Sequence, residues 1–134
     1  MSNYFDEYLK KVKFKNSLNK LKKKIKNKSC IIYGSGTFFQ YINEHYNLNE
    51  FNIIGISDMK YSIEQEGDKD FGYNIVPRGC ITKSKPDYVL VATENYIKII
   101  EDLELRYFKG TNIKVLPLAP KGFVEVIKTV WNSI

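Results

Sequence analysis

CIIYGSGTFFQYINEHYNLNEFNIIGISD, residues 30–58, holds the pattern from which the rest of the chain can be read. A short apolar run, Cys30-Ile31-Ile32-Tyr33, meets Gly34-Ser35-Gly36. The segment Thr37 to Tyr46 then carries Phe38, Ile42 and Tyr46 at a spacing of four, with Phe39 and Tyr41 widening the same face, which is the period of a helix. A second apolar run, Ile53-Ile54-Gly55-Ile56, ends on Ser57-Asp58. Strand, glycine turn, helix, strand and acid follow one another in the order of a dinucleotide-binding βαβ unit.

Working outward, Tyr73 to Val76 reads as a third strand after a polar loop from Met59 to Gly72, and Pro77 ends it. The run Tyr88-Val89-Leu90-Val91-Ala92 is the most strand-like in the chain. Thr93-Glu94-Asn95 then reads as the cap of a helix from Tyr96 to Phe108, stopped by Lys109-Gly110. Ile113 to Leu118 gives a fifth strand, and Phe123, Val126, Ile127 and Val130 mark a closing helix. The fold expected is α/β: a three-layer parallel sheet of about five strands in the order 3-2-1-4-5, with an extra basic helical segment at the N-terminus. Residues 1–28 read as that basic arm and residues 29–134 as one nucleotide-binding domain.

The arm concentrates the charge. Ten lysines against Asp6 and Glu7 give residues 1–28 a balance of +8, and the whole chain is only +6, so residues 29–134 stand at −2. The basic character therefore says little about the ligand domain, and no nucleic acid is expected as a partner. Phe5, Tyr8, Leu9 and Val12 form one apolar stripe, and Phe14, Leu18, Leu21 and Ile25 another. The period breaks between them, near Lys13 to Asn16, which fits one bent helix or two short ones. An apolar stripe needs cover, and a homodimer or a separate catalytic chain would supply it.

No apolar run is long enough to cross a bilayer and the lysine-rich N-terminus lacks a secretory pattern, so the expected location is the cytoplasm. Cys30 and Cys80 show neither CxxC nor Cys/His ligand spacing; they read as small buried hydrophobes, with no metal site expected.

The candidate site lies where the strand order reverses, between the first and fourth strands. It would be lined by Gly34 to Thr37, Asp58, and Ala92-Thr93-Glu94. Gly34 would make the turn, and Gly36 would let a pyrophosphate reach the helix N-terminus. Ser35 and Thr37 would add hydroxyl donors, and Asp58, 22 residues beyond Gly36, would accept ribose hydroxyls. The third glycine of the fingerprint is replaced by Phe39, a bulk expected to push the helix away from its strand. No Tyr is followed four residues later by Lys, and neither a GxxxxGK[ST] nor a GxSxG pattern occurs. His45 has no second base or acid near it in sequence, and its place near a helix C-terminus suits the helix dipole alone. The isolated chain thus reads as non-catalytic.

IIYGSGTFFQYI, NIIGISD, GYNIVP and DYVLVAT together resemble the small Rossmann domains at the N-terminus of nucleotide-sugar dehydratases and epimerases. They also resemble the N-terminal domains of sugar O-acyltransferases of surface-polysaccharide pathways. The similarity runs from Ser29 to Pro117, and many coenzyme A-binding and redox-sensing Rossmann domains share these short patterns. It implies an NAD(H)- or nucleotide-sugar-binding domain of surface-carbohydrate metabolism, with contacts at Gly34, Gly36, Asp58 and Thr93. Phe39 departs from the family pattern, and both the Gly/His-rich loop and the catalytic domain are missing. A scaffold with a vestigial site, or a subunit of an epimerase or dehydratase complex, remain the alternatives.

Overall fold

The computed structural model of the chain describes residues 4–121; the expected closing helix lies outside them. Four parallel strands form the sheet: β1 (Ser29–Tyr33), β2 (Asn52–Ser57), β5 (Tyr88–Val91) and β6 (Lys114–Pro117), in the order β2-β1-β5-β6. β1 pairs with β2 on one side and β5 on the other, and Ile54 is the extra residue of a bulge where the β1–β2 register shifts. Near-continuous apolar character is what a strand covered on both faces requires, and β5 is buried at every residue.

Alternation along the strands divides the core in two. Cys30 and Ile32 of β1, with Leu90 of β5, face α1 (Tyr4–Lys11), α2 (Phe14–Lys24) and α3 (Thr37–His45). Ile31 and Tyr33, with Val89 and Val91, face the other layer, built from α4 (Ile81–Ser84), α5 (Tyr96–Leu103) and a π-helical turn at Glu104–Phe108. The fold is thus the expected α/β architecture of a helix-flanked parallel sheet.

The sheet has four strands instead of five. Tyr73–Asn74 (β4) pairs antiparallel with Lys69–Asp70 (β3), and only Ile75 reaches the sheet, through a single parallel bridge to Ile56. A crossover to a full parallel strand needs a dozen or more residues, usually with a helix. Here the connection spends its length on a one-turn 3-10 segment, Ile63–Gln65, and on the hairpin. Gly55 makes the close pass at the bridge: a Cβ there would sit 2.6 Å from Val76 Cγ2. Phe39 is fully buried, and its ring meets Phe71 edge-on at 5.3 Å.

The N-terminal segment is two helices, separated at Lys13, whose backbone is left-handed (φ 56°). Leu9, Phe14, Leu18, Leu21 and Ile25 are all buried in the same core as Ile32 and Leu90. The stripe that needed cover is covered by the chain's own sheet. α5 starts at Tyr96 with Asn95 at the cap position, as expected, but the Asn95 side chain makes no capping hydrogen bond.

Both cysteines are buried and free. Burial pushes the Cys30 thiol up to about 12. Because the thiolate is the nucleophile, Cys30 is expected to resist iodoacetamide at pH 8 in the native protein and to react once the protein is denatured, as read by intact mass.

Candidate functional site

The carboxyl ends of β1, β2 and β5 meet around Gly34. Its N–H donates to Ser57 O (2.9 Å), continuing the β1–β2 ladder, and its φ of +113° turns the chain away from the sheet. A Cβ at Gly34 would lie 3.0 Å from Ala92 O and 3.1 Å from Thr93 Cγ2, so the turn is pressed against the end of β5. This close approach is the geometric reason for the first glycine.

Asp58 locks the turn from the other side. Its Oδ2 accepts the Ser35 N–H (2.8 Å) and the Ser35 hydroxyl (3.1 Å), while Oδ1 accepts the Lys60 N–H (3.0 Å). A carboxylate offers about four lone-pair directions, so one on Oδ1 is left for a ligand hydroxyl. Ser35 is buried with both donors directed at Asp58, so its hydroxyl serves the acid instead of pointing toward a ligand. Lys60 Nζ, in turn, donates to Ser35 O at 3.2 Å and brings a cation to the rim of the turn.

Gly36 is the open position. It is exposed, adopts extended backbone (φ −86°, ψ −163°), and a Cβ on it would meet nothing within 4 Å. It precedes α3 as its N-cap and supplies no side-chain cap, which leaves the first-turn N–H groups facing outward with their partial positive charge. Thr37, the first helical residue, is exposed beside it. Across the turn, Thr93 Oγ1 is buried with no hydrogen-bond partner, as is Ser57 Oγ at the end of β2. Unpaired buried hydroxyls are costly and uncommon. These two flank the glycine turn.

The structure thus brings together Gly34, Ser35, Gly36, Thr37, Asp58 and Thr93 at one end of the sheet. The open Gly36 face, the uncapped start of α3 and the Lys60 ammonium lie together at this turn. His45 is not part of it: it lies exposed at the far end of α3, stacks on Tyr41 at 4.0 Å, and its Nδ1 donates to Tyr41 O at 2.9 Å. No group of three His, Cys, Asp or Glu side chains comes together among the described residues.

Two residues at the crevice escape the sequence reading. Lys60 had a signal, standing two residues past Asp58, but no motif names it. Tyr4 had none, since its hydroxyl meets Glu94 Oε2 (2.7 Å) across a separation of 90 residues.

No protein-family model and no curated protein matches the chain. Among solved structures it is similar to RSP in complex with β-NAD+ and operator DNA, with a TM-score of 0.46 and 23% identity over 76% of this chain and 49% of that one. It is also similar to RSP in complex with β-NADH, with a TM-score of 0.44 and 22% identity over 84% of this chain and 58% of that one. The chain spans about half the length of the structures it matches.

Proposed function

We propose that the chain binds a nucleotide through its diphosphate at the Gly34–Thr37 turn, with NAD(H) as the leading ligand and a nucleotide sugar as the second. The observation that supports this reading most is the contrast between the two glycines. Gly34 is required by the packing of the turn, whereas no neighbour within 4 Å would meet a Cβ at Gly36. A glycine whose missing side chain would touch no neighbour, placed at a helix N-terminus without a side-chain cap, suits the approach of a phosphate to backbone N–H groups. Asp58 then takes a ribose hydroxyl on its remaining lone pair, and Lys60 offsets the ligand's charge. The role proposed is binding, on its own or beside a catalytic chain, and the resemblance of the strand motifs favours surface-carbohydrate metabolism as the setting.

Calorimetric titration with NAD+, NADH, a UDP-sugar and coenzyme A tests the reading. Saturable binding of NAD(H) or the UDP-sugar supports it, and the absence of binding by any of the four at millimolar concentration removes it. Gly36→Val sharpens the test. Its side chain enters open space, so the only cost is that of a β-branched residue at the N-cap, about 1 kcal/mol, and the melting temperature should fall by no more than about 4 °C, while ligand affinity should fall by about a hundredfold as the phosphate loses its approach to the backbone. Unchanged affinity in a folded Gly36→Val protein would move the ligand away from this turn.

A further inference from the structure

The switch-point crevice has two walls on the α3 side of the sheet: the first turn of α3, which carries Phe38, and the segment after β5, which carries Thr93 and Glu94. The N-terminal tip of α1 runs from one wall to the other. Phe5 meets the Phe38 ring at 5.3 Å and Tyr8 meets it at 5.9 Å, both edge-on. Tyr4, one turn away and stacked on Tyr8 at 6.1 Å, reaches over to donate its hydroxyl to Glu94 Oε2 at 2.7 Å. The bond to Glu94 holds the Tyr4 phenol above its ordinary pKa, so it keeps its proton and stays a donor across the physiological range.

We propose that the Tyr4–Glu94 contact sets how much of a nucleotide the crevice admits. With the contact made, the site takes a ligand as far as its second phosphate. A group attached beyond that phosphate, whether a second nucleoside or a sugar, must pass Thr93 on the β5 side and requires Tyr4 to leave Glu94. The inference rests on the reading of the glycine turn as a diphosphate site and adds its selectivity.

Tyr4 suits a gate better than a structural anchor. It is 62% exposed, and beside the Glu94 bond its ring contacts are with Phe5 and Tyr8 of its own helix, whereas Leu9, on the same helix, is fully buried and keeps α1 in place. Tyr4 can therefore swing away without α1 undocking. Once released, Glu94 presents a carboxylate acceptor at the edge of the crevice, next to Thr93, that can take hydrogen bonds from the hydroxyls of a sugar or ribose. The cost of opening appears only in the affinity for ligands that extend past the diphosphate, because a site that is competent for part of the time binds more weakly in proportion to that fraction.

The test compares ADP with NAD+ in the parent protein, Tyr4→Phe and Tyr4→Ala, by calorimetry on the full chain. ADP affinity should be the same in all three. NAD+ affinity relative to ADP should rise about five- to tenfold in Tyr4→Ala, the scale of one net hydrogen bond, with Tyr4→Phe moving in the same direction. A ratio that is unchanged, or that falls because the Tyr4 ring supports the second nucleoside, overturns the gate while leaving the diphosphate site standing. Failure of both ligands to bind any of the three proteins removes the site and the gate together.

Discussion

Gly34→Val is expected to lower the melting temperature by about 10 °C or more and, in the folded fraction, to leave little of the ligand site. Two costs add. A φ of +113° lies in a region that side chains with a Cβ rarely adopt, and holding one there costs about 1–3 kcal/mol. The new Cβ would also press on Ala92 O at 3.0 Å and Thr93 Cγ2 at 3.1 Å, and the first of these is backbone that cannot rotate away. Overpacking of this kind costs about 1–3 kcal/mol. For a domain of this size each kcal/mol shifts the midpoint by about 3–4 °C, so a total of about 3–4 kcal/mol gives the stated drop. Thermal melts followed by circular dichroism, run beside Gly36→Val, check it. Both substitutions add the same isopropyl side chain two residues apart, so equal melting temperatures would mean that the turn does not pack against β5 as described.

That pair also shows which parts of the site could be read from the sequence. GSG between two apolar strands fixes a turn, and the acid 22 residues on fixes where it points, because both are local patterns with fixed strand geometry. The division of labour inside the turn was not legible. Ser35 reads as a donor to the ligand until the fold brings Asp58 to within 2.8 Å of its N–H and 3.1 Å of its hydroxyl. The four sheet strands could likewise be read as apolar runs. The third run failed for a reason carried by one residue. Phe71-Gly72 makes the two-residue turn between β3 and β4 with both residues at positive φ (53° and 80°), a conformation for which Asn-Gly is the usual signal. Phe71 takes the place of the small residue and, edge-on, packs against Phe39. The phenylalanine that breaks the glycine fingerprint is thus half of the contact that seats the hairpin, and two apparent anomalies of the sequence are one packing unit. Tyr61 adds to the same layer: it is buried, and its hydroxyl donates to Asp70 at 2.5 Å.

Phe14→Ala is expected to cost about 3–5 kcal/mol, a large share of the roughly 5–15 kcal/mol that holds a domain folded. Phe14 is fully buried at the start of α2, and its ring meets Tyr46 at 4.8 Å, nearly perpendicular. It shares its core with Leu18, Leu21 and Ile25, which cover the sheet face formed by Ile32, Leu90 and Leu116. The same packing decides what a truncation would do. Removing residues 1–28 strips five buried side chains, Leu9 among them, from one face of the central strands, so residues 29–134 alone are expected to lose cooperative unfolding in urea. A cooperative transition near that of the full chain would show that the lysine-rich helices dock without supporting the fold. The consequence reaches the assignment of function. Loss of partner binding after such a deletion would report an unfolded sheet as readily as a lost docking surface, so the exposed lysines of α2, Lys15, Lys23 and Lys24, are better tested by charge reversal on the intact chain. Those substitutions leave the buried stripe in place, and any change in partner binding then belongs to the charge.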